Sequence, residues 1–320
     1  LRLRSLKAEA FRGQLSRNGI GRFLWWMRLL QRQPLRQLRA LSKMKAIKDK
    51  KVLITGGSSG MGLELAKLFY ADGADVTLLA RDPARLAAAK AQIEQTSSLS
   101  AVPVGTLSAD VSDVDALYTA LSQYKADKGT PDFLINSAGM SRPGYAQEIP
   151  LDVYDWLMQL NYIGTVNVIK YFLQDMIDRR SGHVINFSSM AGIVGVFGYT
   201  AYSASKFAVR GFSDALRSEM KPHGINLSVI YPPDTDTPQL VWEKQYKPFE
   251  TSVIAGSDKP LPVKAVVDEI YRGVRKNKYV IVPGSEAKLL HWAATHLGGL
   301  VYPIVDFLVA DAQRKKSKQG

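Results

Sequence analysis

The stretch KVLITGGSSGMGLELAKLF, residues 51–69, decides the fold. Residues 52–55 form a short aliphatic and β-branched run, as a buried strand requires. The run enters a glycine turn and then an amphipathic helix. Gly56, Gly60 and Gly62 permit a tight turn, close backbone approach and close helix–strand packing, and the helix N-terminus offers free N–H groups to a pyrophosphate. Ser58 and Ser59 lie in the same turn and join the glycines as candidate phosphate-binding residues. A lone glycine motif is weak evidence, but this one occupies the strand–turn–helix context that gives it meaning.

Outward from this turn, aliphatic strands alternate with helical segments. Strands are predicted at 52–55, 75–79, 102–108, 133–136, 183–187, 226–230 and 279–282. Helices are predicted at 62–70, 83–95, 114–127, 153–178, 201–221 and 263–276. The alternation indicates an α/β protein with a single Rossmann-like, doubly wound parallel sheet of about seven strands and helices on both faces. Three regions follow: a basic extension at 1–46, a nucleotide-binding domain at 47–285 and a hydrophobic C-terminal segment with a basic tail at 286–320. The largest interruption runs from the proline-rich 231–238 to about 262, after a strand's C-terminal end, where open α/β sheets place ligands.

Composition narrows the chemistry. The 320 residues are 46% hydrophobic and 22% charged, ordinary for a globular protein. There is no cysteine, which excludes disulfides, thiolate nucleophiles and cysteine-ligated metals. His183, His223, His291 and His296 are scattered without metal-site spacing, so no metal is expected. Residues 1–43 hold eleven basic residues and one acid, a net +10 of the total +13, which leaves the body nearly neutral. Nucleic-acid binding would want that charge on the folded domain, so no nucleic-acid partner is expected.

The end of the second predicted strand selects the cofactor. A carboxylate there would favour NAD through the ribose 2′-hydroxyl. This chain has Arg81, with Arg85 one helical turn on, and two guanidiniums suit a 2′-phosphate. NADPH is the expected cofactor. Asp82 reads as a helix N-cap before Pro83. Asp110 ends the third strand, within reach of an adenine ring, and Asn136 ends the fourth in NSAG.

The chemistry falls to Tyr202 and Lys206, in YSASK. Four residues apart, they share one helix face. A lysine ammonium beside a phenol lowers its pKa from roughly 10 toward working pH, which makes Tyr202 a candidate proton donor to a carbonyl oxygen. Ser188 and Ser189 end the fifth strand, where a hydroxyl can donate to the same oxygen.

Over roughly residues 51–283 the chain resembles the short-chain dehydrogenase/reductase family. TGGSSGMG at 55–62, NSAG at 136–139, the serine pair and YSASK at 202–206 occur in family order. The resemblance implies Tyr202 as the acid/base and Lys206 as the residue that lowers its pKa and holds the nicotinamide ribose. It also implies Asn161 as support for a water relay to Lys206. Ser189, thirteen residues before the tyrosine, is the implied substrate-orienting serine, with Ser188 as the alternative. YPPDTDTP at 231–238, with GYTAYSASKFA and the Arg81/Arg85 pair, is similar to the 3-ketodihydrosphingosine reductases within that family. That narrower resemblance implies NADPH-dependent reduction of 3-ketosphinganine to sphinganine. The rivals are reduction of another lipophilic ketone (steroid, retinoid or acyl) and a non-catalytic nucleotide-binding protein of the membrane surface.

The ends carry separate expectations. Residues 20–30 mix arginines with Trp25, Trp26 and leucines, as an interfacial helix on anionic lipid would. They read equally as a transit peptide or as an over-long start ahead of Met44. Residues 289–310 match a membrane span in length, but His291, Thr295, His296 and Asp306 break the stretch and Pro303 is expected to kink it. Contact with a membrane surface is expected there, with the basic 314–318 run on headgroups; a helix packed on the domain or on a second subunit is the alternative. The location that follows is membrane-associated, with the catalytic domain on the cytoplasmic side, at the endoplasmic reticulum or a bacterial inner membrane. A cytoplasmic protein is the alternative, and a homo-oligomer is compatible with either.

Overall fold

A computed structural model describes residues 46–96, 102–255 and 260–318 of the chain. The readings of residues 1–45 lie outside them. Seven strands are β1 (Lys51–Thr55), β2 (Asp75–Ala80), β3 (Gly105–Ser108), β4 (Phe133–Asn136), β5 (Gly182–Phe187), β6 (Ile225–Ile230) and β7 (Val280–Ile281). They form one sheet in the order β3-β2-β1-β4-β5-β6-β7, and every neighbouring pair is parallel. Strand order reverses between β1 and β4, which opens a crevice at their C-terminal ends.

Eleven helices are described: α1 (Gly60–Ala71), α2 (Pro83–Glu94), α3 (Val114–Lys128), α4 (Leu151–Met158), α5 (Gly164–Asp178), α6 (Thr200–Met220), α7 (Pro238–Glu243), α8 (Phe249–Ala255), α9 (Val263–Arg275), α10 (Ser285–His296) and α11 (Val301–Ser317). Successive strand side chains point to opposite faces. Val52, Ile54, Phe133 and Ile135 therefore pack with Leu65 and Phe69 of α1 and with Val266 and Ile270 of α9. Leu53, Leu134 and Val184 pack on the other side with Leu117 of α3, Phe172 of α5 and Leu216 of α6. Both faces are covered, which is why the strands read as continuous apolar runs rather than alternations.

Several predicted boundaries move. β3 starts at Gly105 rather than 102, and the single helix expected over 153–178 is α4 and α5 joined by a π-helical turn, Gln159–Ile163. The interruption after β6 holds two helices the sequence reading did not anticipate. Thr237 starts α7, its hydroxyl accepting from the Leu240 N–H at 3.5 Å, and Pro238 takes the first turn, where its missing N–H is not needed.

The stretch 289–310 is not one helix. It is the end of α10, a 3₁₀ turn at Gly298–Leu300 and the start of α11, with Gly298 at φ +54°. Pro303 does not interrupt α11, because it falls in that helix's first turn. No helix among the described residues is long and apolar enough to cross a membrane. α11 is tied to the domain through Lys316, whose Nζ donates to the Tyr145 hydroxyl at 2.7 Å and to Glu250 Oε1 at 3.0 Å.

Phe69 is fully buried and meets the rings of Phe133 and Tyr271 at centroid distances of 5.2 and 5.0 Å. Phe69→Ala is expected to cost about 3–5 kcal/mol, read as a fall in the denaturant midpoint of unfolding.

Candidate active site

At the end of β1 the chain turns through Gly56 at φ +67°, a region open to glycine. A Cβ there would lie 2.7 Å from the Ala138 nitrogen, so only glycine lets the β1 and β4 ends approach this closely. Thr55 fastens the approach: its carbonyl accepts from the Ser137 N–H at 3.2 Å and its hydroxyl from the Ala138 N–H at 3.1 Å. A Cβ on Gly62 would meet the Gly56 carbonyl oxygen at 2.4 Å, so the first turn of α1 can close on the strand only without a side chain. Ser59 is the N-cap of α1 but makes no side-chain cap, which leaves the helix's first N–H groups to an anion.

These residues floor a cleft of about 700 Å³ that runs along the carboxyl edge of the sheet. Gly56, Ser58, Ser59 and Gly60 line one part, Arg81, Arg85 and Asp110 the next, and residues 137–140 the centre. Asp82 caps α2 as its sequence position implies, accepting from the Ala84 and Arg85 N–H groups at 2.9 and 3.1 Å. Both arginines are exposed, and Arg81 Nη1 lies 3.4 Å from Asp110 Oδ2. Burial pushes the Asp110 carboxyl up, but hydrogen bonds from the Ser112 hydroxyl and N–H, with the Arg81 charge, outweigh it and hold the group below the usual carboxylate range. A flat ring and a 2′-phosphate match this combination of acceptor and two guanidiniums. The volume, the side-chain-free turn and the paired arginines fit a dinucleotide.

The reactive cluster lies beyond the cleft's centre. Ser189 ends the β5 loop, and its hydroxyl accepts from the Ala191 N–H at 3.1 Å while meeting the phenol oxygen of Tyr202. Lys206, one turn further along α6, is 5% exposed; its Nζ donates to the Phe187 carbonyl at 2.9 Å and stands 5.7 Å from the Tyr202 ring centre. Burial lowers the lysine to about 8. The phenol does not show the depression expected of it. Burial and then the charge of Glu243 push it above its ordinary value, against opposing hydrogen bonds from Ser189 and Gln239. Lys206, whose Nζ is held on the Phe187 carbonyl, does not reverse this.

Side-chain positions are plain for three more of the predicted residues. Ser188 turns away, its hydroxyl donating to the Lys206 carbonyl at 2.9 Å inside the protein, so Ser189 alone of the pair meets Tyr202. Asn136 does not line the cleft. It is buried, and its Nδ2 donates to Asn186 Oδ1 at 2.9 Å in a chain that continues from Asn186 Nδ2 to Ser213 Oγ on α6. Asn161 stands in the π-helical turn, and its amide is occupied: Oδ1 accepts from the Met140 N–H, and Nδ2 donates to the Met140 carbonyl and to Ser205 Oγ, each at 2.9 Å. Its side chain pins the cleft's central loop to α6.

The residues sequence reasoning missed are Gln239 and Glu243. They belong to α7, which closes the end of the cleft with Thr237, Pro238 and Trp242. Gln239 hydrogen-bonds Tyr202 and donates through Nε2 to Glu243 Oε1 at 2.9 Å. Glu243 Oε2 accepts from the Tyr199 hydroxyl at 2.8 Å. The signal was present in a Thr-Pro helix start followed by Gln and Glu four residues apart, within a stretch read only as an interruption.

Comparison with known proteins agrees with this geometry. The short chain dehydrogenase family model matches residues 50–246. A 3-ketodihydrosphingosine reductase from Bos taurus is 38% identical over 249 residues, 78% of this chain and 75% of that protein. A 3-dehydrosphinganine reductase from Danio rerio is 41% identical over 227 residues, 69% of this chain and 68% of that protein. Among solved structures, a short-chain dehydrogenase from Sphingobium yanoikuyae in complex with NADPH superposes with a TM-score of 0.66 at 26% identity, covering 78% of this chain and 94% of its own. With its glycine turn, Ser189, Tyr202 and Lys206 assembled on one sheet edge, this chain belongs to the short-chain dehydrogenase family.

Proposed function

We propose that this chain reduces 3-ketosphinganine to sphinganine with NADPH. The observation that carries the substrate is the 38–41% identity to the two sphinganine-forming reductases, extending over most of each chain. The cofactor rests on Arg81 and Arg85 at the cleft wall and on the related enzyme whose structure holds NADPH. Gly56, Ser58, Ser59, Gly60 and Gly62 would hold the pyrophosphate, Arg81 and Arg85 the 2′-phosphate, and Asp110 the adenine side.

When bound, NADPH supplies the hydride for the ketone carbon. The protein supplies orientation and a proton. Ser189 and Tyr202 hydrogen-bond the ketone oxygen, and Tyr202 transfers its phenolic proton there as negative charge develops. The raised phenol suits this direction, because Tyr202 stays protonated until the oxygen needs the proton. The Lys206 ammonium offsets the resulting phenolate charge, and Asn161 holds the Met140 loop against α6 so that the cleft keeps its shape.

The reductase domain is assigned to 47–285, with 1–46 and 286–320 as appended segments. The last of these supports contact with a membrane surface. Leu289, Trp292, Leu300, Tyr302, Ile304 and Phe307 are all at least half exposed, and Arg314, Lys315 and Lys316 follow in the last turn of α11. Apolar side chains beside a cationic turn match an anionic lipid interface, from which a long-chain ketone would enter.

Tyr202→Phe is expected to lower kcat for 3-ketosphinganine by about 10²–10⁴-fold while NADPH still binds, measured by turnover and by nucleotide fluorescence. Activity near wild type would remove Tyr202 from the mechanism. Replacing Arg81 and Arg85 together with alanine is expected to raise the KM for NADPH by about tenfold or more, with little change for NADH. Equal changes for the two nucleotides would contradict the 2′-phosphate assignment.

A further inference from the structure

Glu243 is 6% exposed, and the donors that hold it are neutral: the Gln239 amide on one oxygen and the Tyr199 hydroxyl on the other. Among the described residues no cationic side chain forms an ion pair with it. The nearby Lys247 pairs with Asp234 instead, 3.1 Å from Nζ to Oδ2. A buried carboxylate without a counter-charge is costly. Here it also stands beside the proton donor, since Tyr199 and Tyr202 pack with ring centres 5.7 Å apart and Gln239 touches both Tyr202 and Glu243.

The substrate reading supplies the charge this site lacks. 3-Ketosphinganine carries an ammonium group on the carbon next to its ketone, which sets it apart from simple long-chain ketones. Resting on that reading, we propose that Glu243 is a specificity-determining residue that pairs with the substrate's ammonium group while Ser189 and Tyr202 hold the adjacent ketone oxygen.

Gln239 shows that one short polar group can span the two positions. Its planar carboxamide reaches the Tyr202 phenol and the Glu243 carboxylate together. An α-ammonium ketone presents a comparable pair, an oxygen acceptor for Tyr202 and N–H donors for Glu243, across a similarly short link. Binding would displace the Gln239 side chain and exchange a neutral donor for a charged one, which is the stronger partner. It would also cancel the negative charge that now helps hold the proton on Tyr202. A ketone without the amine gains neither effect.

The competing role for Glu243 is a clasp that merely fastens α7 through Tyr199, and a ratio separates the two. With purified protein and NADPH, kcat/KM is measured for 3-ketosphinganine and for the corresponding long-chain 1-hydroxy-3-ketone lacking the amine. The wild type is expected to prefer the amine, and E243Q is expected to lose roughly 30-fold or more of that preference. Equal losses on both ketones would assign Glu243 to the clasp and overturn the inference, with the substrate reading intact. A wild-type ratio near one would overturn it without any variant, so poor folding of E243Q does not shelter the idea. Turnover of the deaminated ketone with none of 3-ketosphinganine would instead overturn the substrate reading, and this inference with it.

Discussion

The contact on which the site depends is the approach of the β1 turn to the β4 loop at the point where strand order reverses. Gly56 stands so close to Ala138 that a single methyl group would collide with the backbone. Thr55 holds the two segments with its carbonyl and hydroxyl, and Gly62 brings α1 down on the same turn. The cleft follows from this crowding, because the strands flanking a reversal diverge above it and the backbone N–H groups at its floor are not covered by side chains. The buried amide ladder from Asn136 through Asn186 to Ser213 supports it from below, linking β4, β5 and α6. Asn136 thus belongs to the scaffold beneath the site and does not line the cleft.

The reactive cluster combines two opposed electrostatic conditions. Burial lowers Lys206 toward neutrality and raises Tyr202 toward a tightly held proton. Both directions have the same cause, removal from water, and both oppose the charged pair that a bare Tyr–Lys spacing brings to mind. Glu243 adds to the effect on Tyr202. Chemistry in such a site calls for positive charge to arrive near the phenol or for negative charge to develop on the ketone oxygen, and an α-ammonium ketone brings both.

The region after β6 links substrate handling to the C-terminal segment. α7 lines the end of the cleft, and α8 follows it and receives Lys316 of α11 on Glu250. The exposed apolar side chains of α10 and α11 therefore belong to a segment fastened to the element next to the cleft's end. For a substrate with a long hydrocarbon chain, that places an apolar surface and the reactive group on connected parts of the fold.

Much of this was legible in residue order. Local patterns determined the parallel sheet, because continuous apolar strands alternating with helices have few other ways to bury both faces. The glycine turn, Arg81 with Arg85, the Asp82 cap and the Tyr202–Lys206 spacing were readable for the same reason: each is a short-range arrangement with one geometric consequence. Sequence did not reveal which way a side chain turns when two neighbours are chemically alike. Ser188 and Ser189 differ only in that successive residues face opposite ways. Nor did it show that Asn136 and Asn161 are engaged by partners 50 and 44 residues away, Asn186 and Ser205. The direction of the Tyr202 shift and the presence of Glu243 beside it were decided by tertiary structure alone, since both depend on how deeply α7 and α6 bury the phenol and not on which residues stand next to it in the chain.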